Sequence, residues 1–119
     1  MNKLIAWVEI PTENFDRAVV FYSKVFEWKM NPMDFGHEKM ALLPDNAGAI
    51  SSAAGFKPSS NGVLVSFTTN DIDNTLKKVE NNGGSIKTPR TAIEREEGGH
   101  FATFIDCEGN QLGLYAFGN

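Results

Sequence analysis

One pattern, stated twice, restricts this chain more than any other feature. A strand-like run, a short polar joint, an amphipathic helix and further strand-like runs begin at Trp7-Val8-Glu9-Ile10-Pro11, and the pattern restarts 57 positions later at Leu64-Val65-Ser66-Phe67. At that offset Trp7 falls on Leu64, Ile10 on Phe67, Phe15 on Ile72, Asp16 on Asp73, Val19 on Leu76 and Tyr22 on Val79. The match lies in the order of apolar and polar positions, not in identity. A strand, a helix and three strands, repeated, bury both helix stripes only by packing each on a sheet. The expected fold class is therefore α+β.

Residues 4–10 read as the first strand, because Trp, Val and Ile suit a pleated surface. Alternation puts Ile5, Trp7 and Glu9 on one face and Leu4, Ala6, Val8 and Ile10 on the other. Pro11 is expected to end the strand, since proline cannot donate to a ladder. Thr12 or Asn14 can cap the helix that follows. Its stripe is Phe15, Ala18, Val19, Tyr22, Val25 and Phe26, at helical spacing, and it ends near Glu27. Strands are expected at about 28–33, 37–43 and 48–53, with turn residues between them. Residues 56–62 are polar and helix-breaking, the natural linker, which puts module one at about 1–57 and module two at about 58–119 of one domain.

The second module opens with a strand at 63–68, and Asn70 or Asp71 can cap a helix carrying Ile72, Leu76 and Val79. Asn81-Asn82-Gly83-Gly84 stops it. Strands follow near 85–88, 100–105 and 111–117. The polar run 90–99, with Glu94-Arg95-Glu96-Glu97, reads as a solvated loop long enough to act as a lid.

Charge narrows the partners. The net charge is -4, and the eleven basic residues are scattered, with Lys77-Lys78 the only adjacent pair. Nucleic-acid binding requires a concentrated basic patch and is not expected. No run approaches the about 20 apolar residues that span a bilayer, so no membrane partner is expected either. The apolar start is broken by Glu9 and Pro11 and reads as a strand instead of a leader. The single cysteine, Cys107, permits no intramolecular disulfide, and a cytoplasmic location is expected. Asp106 and Glu108 flank that thiol and disfavour its thiolate, so it reads as incidental.

Several stretches together resemble the vicinal oxygen chelate superfamily, which includes lactoylglutathione lyase, fosfomycin- and bleomycin-resistance proteins and extradiol dioxygenases. They are Trp-Val-Glu-Ile-Pro leading to Arg17-Ala18 and Phe21-Tyr22; Asn70-Asp71-Ile72-Asp73; Gly83-Gly84; and Phe104-Ile105-Asp106-Cys107-Glu108-Gly109-Asn110. Each is weak alone, and their order and spacing over nearly the whole chain make the likeness specific. The resemblance implies two tandem βαβββ modules whose curved mixed sheets form a cup-shaped cavity, in a homodimer. It also implies a divalent metal held by His or Gln, His or Glu, and Glu, from the first strand of each module and the last strand.

Carried onto this chain, those ligand positions are Trp7, Leu64 and Gly113. Indole offers a metal no lone pair, leucine has no donor atom and glycine has no side chain. Trp7 lies fourteen residues before Phe21 and Leu64 seven before Asp71, and a slip by one position would substitute Val8 and Val65. No metal and no other cofactor is therefore expected at the usual site.

With the implied cup faces, alternation fills them with Ile5, Trp7 and Glu9, with Leu64, Ser66 and Thr68, and with Gln111, Gly113 and Tyr115. A mostly apolar hollow with a few polar groups is the usual composition of a small-molecule site. Glu9 could pair with a ligand or serve as a general base; equally, it could point to water. Trp7 could stack on a ligand or plug the cup. Trp28, Met30, Met33, Phe35 and Met40 form a soft apolar group that reads as core before pocket. His37-Glu38 and His100 could build an unconventional metal site, although His100 reads equally as a satisfied, half-buried histidine. The expected function is metal-free small-molecule binding in the manner of the resistance proteins. A lyase, isomerase or dioxygenase-type enzyme is the alternative, and a scaffold with a plugged cup is the third reading.

Overall fold

The computed structural model describes residues 4–94 and 98–117. The chain divides into two compact units, Met1–Pro58 and Ser59–Asn119. Each is a helix packed on a four-stranded mixed sheet, and the two have the same topology.

In the first unit β1 (Val8–Pro11) leads to α1 (Phe15–Phe26), then to β2 (Pro32–Asp34), β3 (Glu38–Leu42) and β4 (Gly48–Ala53). The sheet order is β1-β4-β3-β2, with β1 parallel to β4 and the other pairs antiparallel. Asn14, not Thr12, caps α1, its side chain accepting from the Arg17 N–H at 3.1 Å. Thr12 is buried instead, and its hydroxyl donates to the Ser51 carbonyl at 3.0 Å. The helix stops where Glu27 turns left-handed at φ 60°. Phe15, Ala18, Phe21, Tyr22 and Val25 are buried, so the stripe runs through Phe21 instead of Val19 and Phe26. They meet Ile10, Ala41 and Ile50, which are paired across β1, β4 and β3. Each buried Phe, Val or Ile side chain among them contributes about 2 kcal/mol.

The first strand differs from its expected span at both ends. It begins at Val8, not Leu4, and includes Pro11. Its partner β4 begins at Gly48, which pairs with Val8, so Leu4 to Trp7 have no neighbour in that sheet and are exposed. Pro11 is tolerated because of which amides face β4. Val8 donates to Ala47 and Thr12 to Ser51, so the amide positions at residues 9 and 11 face the other way and the missing N–H costs no ladder bond. β2 is also later and shorter than residues 28–33. Trp28 leaves the helix and stacks on Phe26 at 4.6 Å between centroids, outside any strand.

The second unit repeats the order: β5 (Ser66–Thr68), α2 (Ile72–Asn81), β6 (Ser85–Ala92), β7 (His100–Ile105) and β8 (Gln111–Ala116), with sheet order β5-β8-β7-β6. Asp71 caps α2, accepting from the Asn74 N–H at 3.0 Å. The helix ends with the Gly84 N–H on the Val79 carbonyl at 2.9 Å, a reversal that needs the φ of +99° at Gly83. Ile72, Leu76 and Val79 are buried with Ala102, Phe104, Leu112 and Leu114. β5 starts at Ser66 instead of residue 63, so Val63 and Leu64 precede the strand, and Val63 is 90% exposed. β6 continues past Thr88 to Ala92 with two register irregularities, an edge strand that accommodates Pro89.

The β7–β8 turn is built on a buried carboxylate. Asp106 Oδ1 accepts the backbone N–H groups of Glu108 at 2.8 Å and Asn110 at 2.9 Å, and Oδ2 accepts the Asn110 side chain at 3.1 Å. Asn110 in turn accepts the Ser59 N–H at 3.1 Å, which ties the expected linker region to this turn. Of the run Glu94-Arg95-Glu96-Glu97, residues 95–97 lie outside the described residues. Among the described residues no helix is long and apolar enough to cross a membrane.

Candidate functional site

The strand registers sort every expected site residue by face. In the first unit Ile10, Ile50 and Ala41 lie under α1, so Glu9, Ala49 and Leu42 form one row on the face away from the helix. Pro11, Ser51, Met40 and Met33 form the next row on that same face. Glu9 is exposed, and both its oxygens are engaged: Oε2 accepts the Trp7 indole N–H at 3.1 Å and Oε1 accepts the Ser51 hydroxyl at 2.9 Å. Ser51 is fully buried, and its carbonyl accepts from both the amide and the hydroxyl of Thr12. Trp7, 41% exposed, thus offers an aromatic face beside a positioned carboxylate.

Trp7 and Glu9 were legible as candidates; Ser51 was not. Its link to Glu9 spans 42 positions and arises from parallel pairing of the first and last strands of the unit. Met33 and Met40 are half-buried cross-strand neighbours on this face, not part of the helix-covered core, and Phe35 is 54% exposed. A groove of about 420 Å³ lies at one end of the sheet, lined by Met33, Leu42, Lys29, Asn31 and the turn Pro44–Asn46. None of the expected site residues lines it.

In the second unit Ser66, Gly113, Thr103 and Thr88 form a row across all four strands, each paired with the next. Thr68, Tyr115, Phe101 and Thr91 form a second row, and Gln111 pairs with Ile105 in a third. The opposite parity, with Phe67, Leu114, Ala102 and Phe104, lies under α2. Ser66 and Gly113 are therefore brought together, and so are Thr68 and Tyr115. Leu64 is half-exposed ahead of β5. A Cβ at Gly113 would collide with Ser66 Oγ, so the serine side chain takes the space above the glycine. Thr103 is 6% exposed, and its hydroxyl is buried without a hydrogen-bond partner among the described residues. Its signal in the sequence is the alternation of Thr103 with Ala102 and Phe104.

The metal implied by the resemblance does not fit these residues. The one heteroatom of the Trp7 side chain is an N–H donor already given to Glu9. Leu64 has no donor, and Ser66 fills the space at Gly113. Among the described residues no three His, Cys, Asp or Glu side chains are grouped to hold an ion. His37 is exposed in the turn before β3. His100 heads β7 half-buried, as one of its two readings had it, but its Nδ1 is buried without a partner among the described residues and so is not satisfied. Cys107 is half-buried in the last turn, with Glu108 at 3.8 Å from its sulfur.

Among solved structures, a glyoxalase I variant from Zea mays superposes with a TM-score of 0.74 at 20% identity, over 93% of this chain and 46% of that one. A glyoxalase/bleomycin resistance protein from Albidiferax ferrireducens T118 gives 0.72 at 14% identity, over 96% and 99%. A glyoxalase/bleomycin resistance protein/dioxygenase family enzyme from Burkholderia phytofirmans PsJN gives 0.68 at 16%, over 94% and 97%. This chain thus spans under half of the maize protein, and 45% of a second maize variant. At these identities the likeness is one of fold. No curated protein matches the sequence significantly. A profile of the glyoxalase/bleomycin resistance protein/dioxygenase superfamily matches residues 4–114. With that match over nearly its whole length, and with the strand–helix–three-strand order present in both units, the chain belongs to the glyoxalase/bleomycin resistance protein/dioxygenase superfamily.

Proposed function

We propose that this protein binds a small molecule without the metal used by enzymes of its superfamily, with Glu9 as the polar anchor. The observation that carries the reading is the fixed, exposed Glu9 carboxylate. Trp7 hydrogen-bonds one of its oxygens and buried Ser51 the other, on the sheet face away from α1. A carboxylate positioned before the ligand arrives loses little freedom on binding, and the adjacent indole suits a flat or cationic group. Ser66, Gln111, Gly113 and Tyr115 provide hydroxyl, amide and aromatic groups on the corresponding face of the second unit, and Leu64 an apolar one beside it. A cytoplasmic homodimer completes the proposal, and light scattering tests the dimer.

The test is a fluorescence titration of chelator-dialysed protein, with Trp28→Phe leaving Trp7 as the reporter. A panel of cationic, neutral and anionic aromatic compounds is expected to include at least one that shifts Trp7 emission without added metal. Glu9→Gln is expected to weaken that compound about tenfold, the size of a lost hydrogen bond to a charged group. Binding that appears only after a metal is restored would overturn the proposal. The same carboxylate could instead accept a proton as the base of a lyase or isomerase. An activity that survives Glu9→Gln unchanged excludes that role.

A further inference from the structure

The second unit contains a feature that fold stability does not account for. On the face away from α2, the row Ser66–Gly113–Thr103–Thr88 places three hydroxyls and one bare backbone position side by side. The Thr103 hydroxyl at its centre is buried with no partner among the described residues. A buried unpaired hydroxyl destabilises a fold, and valine of nearly the same shape would remove that cost. The residues paired in these three rows on β5, β7 and β8 are Ser66, Thr68, Phe101, Thr103, Ile105, Gln111, Gly113 and Tyr115, and none carries a charge. Next to the hydroxyl row, Phe101 and Tyr115 are paired across β7 and β8.

We propose that this row is a subsite for an uncharged oxygen-bearing group, a carbonyl, amide or hydroxyl on a neutral small molecule, with Thr103 as its central hydrogen-bonding residue. Thr103 can donate to such an oxygen or accept from such a hydroxyl, whereas a carboxylate or ammonium group would find no countercharge among the paired residues of these rows. Gly113 has no side chain, and the group above it is the short side chain of exposed Ser66. Phe101 and Tyr115 provide apolar surface for the rest of the ligand. The subsite rests on the small-molecule reading above but does not depend on Glu9.

The test uses the intact chain, followed by amide NMR during titration with three probes of similar shape: benzamide, benzoate and benzylamine. Benzamide is expected to shift the amide signals of Ser66, Thr103 and Gly113 at concentrations where benzoate and benzylamine do not. Thr103→Val is expected to weaken benzamide at least tenfold and to raise the Tm of the free protein, while Thr103→Ser keeps binding within about threefold. A Thr103→Val protein that melts lower, or that binds benzamide as the native chain does, overturns the proposal. So do equal shifts from all three probes, or no shift at these amides. Shifts confined to Trp7 and Glu9 would overturn this subsite and leave the Glu9 reading standing.

Discussion

The Trp7 indole N–H donates to the Glu9 carboxylate at 3.1 Å, two residues apart on one side of the chain. The residue at an expected metal-ligand position is thereby turned into the support of its neighbour. Glu9 is held from the other side by Ser51, which is fully buried, whereas Trp7 and Glu9 are exposed. The two hydrogen bonds therefore differ in what they contribute. Ser51→Ala is expected to cost about 1 kcal/mol in urea unfolding, and Trp7→Phe less than that through its lost hydrogen bond, because solvent replaces the exposed partner. A larger loss from the tryptophan bond than from the serine would contradict this assignment.

Asp106 is the residue whose loss should damage the second unit most. Its buried carboxylate accepts from three N–H groups and so fixes the turn that sets β8 against β7. Asp106→Ala is expected to destabilise by about 3 kcal/mol, since it leaves those donors unpaired. Equilibrium urea denaturation measures it. Asp106→Asn, which keeps an acceptor oxygen, should lose less.

Gly48 is set by close approach of backbone. A Cβ there would collide with the Val8 carbonyl, in the strand paired with β4. Gly48→Ala is expected to cost at least about 2 kcal/mol by forcing β1 away from β4. Thermal unfolding, with amide exchange at Ile10 and Thr12, would show the loosening.

The two helix caps give a smaller effect of known sign. Asn14→Ala and Asp71→Ala each remove the acceptor of one helix-terminal N–H, at 3.1 Å and 3.0 Å. Each is expected to cost about 1 kcal/mol. Thr12→Ala should also destabilise, but through the lost bond to the Ser51 carbonyl and not through the helix.

The helices, the repeated order and the division of faces were legible because they rest on local periodicity. Phe15, Ala18, Tyr22 and Val25 announce α1, and Ile72, Leu76 and Val79 announce α2. Strand limits were less legible, because a strand exists only where a partner lies beside it. Leu4 to Trp7 are as apolar and strand-like as Val8 to Pro11, yet β4 offers them no residues to pair with. Pro11 looked like a stop because sequence does not show which way an amide faces. At the site, Trp7 and Glu9 could be chosen from one strand. Ser51 enters through a pairing with a distant strand and carries no local signature, while Thr103 shows only an alternation with Ala102 and Phe104 that gains meaning from its pairing with Gly113.

The measurement that bears most directly on the central proposal is a calorimetric titration of the chelator-dialysed protein with manganese, nickel, zinc and ferrous iron. Trp7, Leu64 and Gly113 provide no ligand atoms from their side chains, so no stoichiometric tight binding is expected with any of the four. One tightly bound ion per chain would contradict the metal-free reading.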